Sequence, residues 1–344
     1  MTRQDDVPVV RAIHPWVAEA EHSVRFGLFG GPFSDWLEAV EFVQLAEELG
    51  FDSYLAYDHP TRLMDCWSIL TALAAATKRI RLLSLVSCIY YRSPALVARL
   101  AADVDRISNG RLILGLGAGD DQDEFRQLNI PFPPLRDRQE ALEDTIAIVT
   151  GLWTTERVTF EGRQFQVTDA ALRFPPVQQP HVPLLIGGGG EHVTLRQVAQ
   201  YADVSNFGPH EWSGAAYEVG DVRRKYEALR RHCEALGRPY EAILRSYYTP
   251  LLVLADSQPA LQSKLGAIRK NPREHFIPIF GTPGEAVTHY QALVDAGVQY
   301  FLVAVQGKDT ETVRLLAEQV IPELRPRTGS EWSRVMRTGI GVRP

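Results

Sequence analysis

The sequence predicts an α/β fold in which eight strands alternate with helices to build a parallel sheet, and three observations carry that prediction. Apolar strand-like runs and helix-like stripes of 3.6-residue period alternate along most of the chain. Eight such strand runs can be counted. Their bodies are apolar, whereas the segments that follow them are polar or glycine-rich, the pattern of one pocket shared by the C-terminal strand ends. Eight units closed on themselves make a (β/α)8 barrel, and an open doubly wound sheet is the competing arrangement. With 344 residues, 45% of them hydrophobic, the chain is long enough to form the barrel as one domain.

Residues 1–23 are polar and aperiodic and read as an N-terminal arm. The first strand spans residues 24–29. Trp36, Leu37, Val40, Val43, Leu45 and Leu49 then mark a helical stripe that ends at Gly50. Residues 53–57 form the second strand and 66–77 a helix. The third strand covers 80–88, and the helix over 94–108 starts with Pro94, a residue suited to a first turn. An Asn109-Gly110 turn leads into the fourth strand, 111–116, and a helix follows over 138–153. Residues 154–182 are rich in proline, aromatics and short alternations, and read as an excursion containing a hairpin. Residues 184–187 are the fifth strand, 203–207 the sixth, 222–236 a charged helix and 243–254 the seventh strand region. Residues 257–280 have no clear period. A helix over 283–296, the eighth strand over 300–305 and a helix over 310–324 complete the series. The barrel domain is therefore 24–324, and 325–344 reads as a C-terminal tail.

Bulk composition narrows the function classes. With 36 Lys and Arg against 42 Asp and Glu, the net charge is −6 and no basic block stands out, which argues against nucleic acid. Cys66, Cys88 and Cys233 are far apart and form no CxxC, which fits a reducing cytosol. The first residues lack the regions of a signal peptide, and no apolar run approaches the ~20 residues of a membrane span. A cytoplasmic protein without membrane contact is expected. The charged outer helices suggest a face that pairs with a second subunit.

Gly187, Gly188, Gly189 and Gly190 follow the apolar run 183–186, and a helical pattern opens at Glu191. Glycines permit positive φ and close approach, so successive N–H groups can converge on an anion, and a helix start adds unpaired N–H groups. Alone, the tract could equally be a strand–helix turn. Asp58-His59 follows the second strand. A histidine there could be a general acid or base, while the pair could also simply cap nearby N–H groups. Gly115-Leu116-Gly117-Ala118-Gly119 resembles a dinucleotide fingerprint only weakly, because Asp120 and Asp121 come next and would repel a pyrophosphate. It reads better as a close backbone approach to a flat ligand, with Asp120 facing the pocket. The first strand carries no HxH ligand pair and the chain has no GxSxG elbow, so no metal site is expected. A phosphate cradle without a built-in reactive group points to a phosphorylated organic cofactor.

The stretch SCIYYRSPALVARLAADVDRISNGRLILGLGAGDDQDEF, residues 87–125, together with Asp58-His59, Trp67, Arg138 with Glu143, PLLIGGGGEHVTLRQVAQYADVSN and GTPGEAV, resembles the bacterial-luciferase-like family of flavin and deazaflavin oxidoreductases over residues 24–324. The resemblance implies a luciferase-like (β/α)8 barrel with a ring cofactor across the strand ends and its phosphate on Gly187–Gly190. It also implies a non-proline cis peptide near Leu85–Val86 that supports the ring, with Ser87, Gly117, Ala118 and Gly119 along its edge. Family members are often dimers. One branch of the family uses reduced FMN and oxygen as monooxygenases. The other uses coenzyme F420 for hydride transfer, and there the positions matching Asp58 and His59 contact cofactor or substrate. The carboxylate at Asp120, where many monooxygenases carry an aromatic residue, favours F420, with FMN or FMNH2 as the alternative. His59 and Asp120 are the expected catalytic residues acting on a small-molecule substrate. The sugar-phosphate dehydrogenases of the F420 branch carry a tryptophan shortly after this histidine. Residues 60–65 contain none, and no Lys/Arg cluster for a second phosphate is evident.

Overall fold

A computed structural model of the chain describes residues 13–33, 35–268 and 279–326. Eight parallel strands close into a barrel: β1 (Arg25–Phe29), β2 (Ser53–Ala56), β3 (Arg81–Ser84, resumed at Ser87–Cys88), β4 (Leu112–Gly117), β5 (Leu184–Gly187), β6 (Val204–Phe207), β7 (Leu244–Thr249) and β8 (Tyr300–Ala304). Two ladders decide between closed and open sheets. Arg25 pairs with Tyr300 between β1 and β8, and Leu82 pairs with Leu112 between β3 and β4. With these in place every strand has two neighbours and no edge is left.

The helices wrap the outside, and their starts follow the side chains that cap them. Asp35, Asp65 and Ser93 each accept a hydrogen bond from the backbone N–H three residues on, opening helices Trp36–Glu48, Cys66–Ala76 and Pro94–Ile107. The excursion contains the antiparallel hairpin Val158–Glu161 with Gln166–Ala170. The seventh strand region divides at Pro250, which has no N–H to give a ladder. Leu252–Leu254 leaves the barrel and pairs with Ile279–Gly281 as a small separate sheet. Helix Gln258–Ile268 fills part of the stretch that had no clear period, and residues 269–278 lie outside the described residues. Residues 1–12 of the expected arm and 327–344 of the expected tail also lie outside them.

The end of the arm differs from expectation. Pro15–Ala18 form a helical turn that continues as a 3-10 turn over Glu19–His22. Trp16, Val17 and Ala20 are buried against Leu55, Leu83, Ile113, Leu185, Val204 and Leu302 inside the barrel. The segment is too short for a period to register, yet it plugs the barrel. The Arg25 and Arg81 guanidiniums lie 5.3 and 5.0 Å from the Trp16 ring, which meets Tyr300 edge-on.

His14 ties this plug down. Its Nδ1 accepts from the Trp16 N–H at 3.2 Å, and its Nε2 donates to the His181 carbonyl at 3.0 Å. The first bond needs the neutral ring, because a protonated Nδ1 cannot accept. Burial holds its pKa below the ordinary 6.5, against the pull of Asp203. The unfolded chain therefore takes up this proton first, and the associated stability falls as pH drops below about 6.5. Melting temperature is expected to fall between pH 7 and 5, and His14→Asn, which keeps an acceptor but cannot titrate, should flatten that slope. An unchanged slope in the variant would assign the acid sensitivity to other groups.

Candidate active site

The C-terminal end of β3 is shaped around one side chain. The Leu85–Val86 peptide is cis, at the position the resemblance implied, and interrupts the strand. Val86 is partly exposed and, with Phe29 and Tyr57, covers the interior cluster at this end of the barrel. The glycines opposite make room for it. A Cβ on Gly117 would lie 2.4 Å from Val86 Cγ2, and one on Gly187 would lie 3.1 Å from Val86 Cγ1. A Cβ on Gly115 would meet the Ser84 carbonyl oxygen at 2.0 Å. The close backbone approach seen at Gly117 is to the strand-three bulge itself. Ala118 and Gly119 continue past the strand end. Gly119 turns the chain at φ +80°, and Arg138 donates to its carbonyl.

Asp58 holds the bulge from behind. Its carboxylate accepts from Ser87 Oγ at 3.1 Å, from the Cys88 N–H at 3.2 Å and from Arg92 Nη1 at 2.8 and 3.0 Å. The side chain has no exposed surface, so the carboxylate expected to contact cofactor is fully engaged by protein. Ser87, also buried, points its hydroxyl at Asp58 rather than into the mouth.

His59 is the group that faces outward. Its ring is 37% exposed, and Nδ1 lies 2.8 Å from Glu124 Oε2. Glu124 is enclosed and also accepts from the Thr61 N–H at 3.0 Å, Thr61 Oγ1 at 2.8 Å and the Tyr91 hydroxyl at 2.9 Å. Burial raises the Glu124 pKa, but the bonds from His59 and Thr61 outweigh it and hold the carboxyl below its ordinary value. An ionised Glu124 only accepts, so His59 Nδ1 carries the proton and Nε2 is left for chemistry. Asp120 is exposed, three residues past the end of β4. Enclosure by the surrounding protein pushes its pKa up, and the facing His59 charge pulls it back. Among the described residues, His59, Asp121 and Glu124 bring three potential metal-ligand atoms together. Two of these are already bonded to each other, and Asp121 is paired with Arg62.

The glycine run lies where expected, at the end of β5, with one change. The helix starts at Thr194, after a three-residue turn, and not at Glu191. The Gly188 N–H is taken by the Asn206 carbonyl at 2.8 Å. Gly189 packs against Gly214 Cα, 3.0 Å from where its Cβ would sit, and Gly190 is exposed. No hydrogen bond among the described residues engages the N–H groups of Gly189 and Gly190.

The luciferase-like monooxygenase family model matches residues 18–297, most of the barrel. The chain belongs to this family. It is 26% identical to an F420-dependent glucose-6-phosphate dehydrogenase of Microbacterium testaceum, with 84% of this chain and 94% of that protein covered. Its fold is similar to that of an F420-dependent secondary alcohol dehydrogenase solved with an F420-acetone adduct (TM-score 0.74, 19% identity, 88% and 99% covered). It is also similar to a monooxygenase from Streptomyces bottropensis (TM-score 0.70, 22% identity, 87% and 99% covered). No helix among the described residues is long and apolar enough to cross a membrane.

Within this luciferase-like barrel, two functional partners were not legible beforehand. Glu124 sits three residues into a short helix capped by Asp121, and its sequence signal is only that of a capped turn. Arg92 lies in the RSP stretch, but nothing local ties it to Asp58.

Proposed function

We propose that the chain is a coenzyme F420-dependent oxidoreductase that transfers a hydride between the deazaflavin and a small organic substrate. The observation that carries this reading is the His59–Glu124 hydrogen bond beside Asp120 at the mouth of a barrel whose third strand bulges toward that mouth. The F420-dependent relatives support it. The chain's residues fit such a cofactor. Val86 offers a partly exposed apolar shelf for a ring, and Leu85, Gly117, Ala118 and Gly119 border it. The turn at Gly189 and Gly190, buried at the first and exposed at the second, offers N–H groups that no other described residue takes to a phosphate, flanked by Gly187 and Gly188.

When bound, F420 supplies the site that takes up or releases a hydride. The protein's task is the accompanying proton. His59 Nε2 accepts it from a substrate hydroxyl during oxidation or returns it during reduction. Glu124 keeps Nδ1 protonated, so that Nε2 is the reactive atom, and it stabilises the imidazolium that forms. Asp120 faces His59 and orients the substrate or acts as its acid partner. Asp58 acts indirectly, by fixing Ser87, Cys88 and Arg92 behind the bulge.

The test is fluorescence titration of the purified protein with F420 and with FMN. Tight binding of F420 and weak binding of FMN is the expected result, followed by a turnover screen of alcohols, enones, imines and sugar phosphates. Preferential binding of FMN or its reduced form would move the chain to the oxygen-using branch of the family.

A further inference from the structure

The glycine turn is held from beneath by helix Val219–Leu236. Lys225 donates from Nζ to the Gly189 carbonyl at 2.7 Å, and His232 donates from Nε2 to the Glu191 carbonyl at 2.8 Å. Arg224 Nε reaches the Glu191 carboxylate at 2.9 Å. Lys225 is buried, and its nearest carboxylate oxygen, on Glu191, is 4.0 Å away. An ammonium withdrawn from water to bond a main-chain carbonyl calls for a reason beyond packing.

The peptide unit supplies one. Among the described residues the cis bonds are Gly31–Pro32, Leu85–Val86 and Gln179–Pro180, so the 189–190 and 191–192 peptides are trans. In a trans peptide the C=O and the following N–H point in opposite directions. Drawing the Gly189 and Glu191 carbonyls toward the helix therefore turns the N–H groups of Gly190 and His192 away from it, to the open side of the turn. A cation on the Gly189 carbonyl also polarises that peptide and strengthens its N–H as a donor to an anion.

We infer that Lys225, assisted by His232, is a positioning residue that sets the Gly190 and His192 amides to receive the phosphate of the cofactor. The inference rests on the cofactor reading above and adds the residue that shapes its anion site. Lys225 itself touches the peptide and not the phosphate.

The experiment compares F420 with the same deazaflavin riboside lacking the phosphate-bearing tail, by fluorescence titration of the full chain. The wild type should prefer F420, and Lys225→Met should lose about tenfold in F420 affinity while its affinity for the phosphate-free compound stays within about twofold. A variant that binds both compounds as the wild type does, or that loses both equally, overturns the assignment while leaving the phosphate reading intact. A wild type that does not distinguish the two compounds overturns the phosphate reading and the assignment together. Should the variant not fold, amide NMR of the wild type titrated with inorganic phosphate decides. Shifts at Gly190 and His192, without one at Gly188, are expected. Movement at Gly188 alone, or at none of the three, overturns the assignment.

Discussion

His59→Ala is expected to lower kcat by about 10²–10⁴-fold while leaving the affinity for F420 within about twofold. The asymmetry follows from where the groups sit. The glycine turn at the end of β5 and the bulge at the end of β3 are built from backbone, glycines and Val86, and none of them uses the imidazole. The ring instead stands at the end of β2, with one nitrogen bonded to Glu124 and the rest partly open to the mouth. Truncating it removes the proton acceptor without disturbing the residues proposed to hold the cofactor. Stopped-flow hydride transfer with pre-bound F420 measures the first quantity and titration the second. Loss of affinity with an intact chemical step would make His59 a ligand contact. An unaltered rate would remove it from the mechanism.

The parts of this fold that sequence reveals are those encoded by local period. The apolar runs of β1 to β8 and the capped helices between them could be placed to within a few residues. Closure could not, because an open sheet shows the same alternation, and the deciding contacts join Arg25 to Tyr300 across most of the chain. The plug at Trp16 was hidden for a related reason: three buried apolar residues in one turn make no stripe. At the site, the glycine run announced itself, yet the use of the Gly188 amide by Asn206 depends on the pairing of β5 with β6. Asp58 is expected at the cofactor or substrate because the resemblance to the F420 branch implies it, and no local pattern shows what else it binds. The residues that enclose it, Ser87, Cys88 and Arg92, lie on another strand and its loop. Glu124 is separated from His59 by 65 positions, and no short-range pattern links them.

Glu124→Gln is expected to reproduce most of the His59 defect without removing the imidazole. Glu124 Oε1 accepts from the Thr61 N–H and hydroxyl, and Oε2 accepts from His59 and the Tyr91 hydroxyl. Glutamine keeps one acceptor oxygen and turns an NH2 group toward the other pair. With the oxygen kept on Thr61, the amide donates to His59 Nδ1, and the ring answers by moving its proton to Nε2. The neutral histidine then presents a donor where substrate oxidation needs an acceptor. In reduction, the imidazolium loses the carboxylate that stabilises it. A fall in kcat of about 10²–10⁴-fold is expected, with F420 affinity preserved, because the ring stays in place but in the wrong tautomer. The same substitution should lower stability at neutral pH by about 1–3 kcal/mol, since the Tyr91 hydroxyl loses a charged acceptor. The sign with pH follows from the depressed carboxyl. Its contribution is complete above the ordinary value of 4.5 and disappears as pH falls through the lower folded value. The stability gap between wild type and variant should therefore narrow in acid. Denaturation at pH 7 and at pH 3.5, set beside the pH profile of kcat, separates the two roles. A variant destabilised but with kcat within about threefold of wild type would leave Glu124 a structural carboxylate. Loss of kcat together with a displaced His59 limb of the profile, the acidic limb in oxidation and the basic limb in reduction, would mark it as the residue that chooses which nitrogen of His59 does the chemistry.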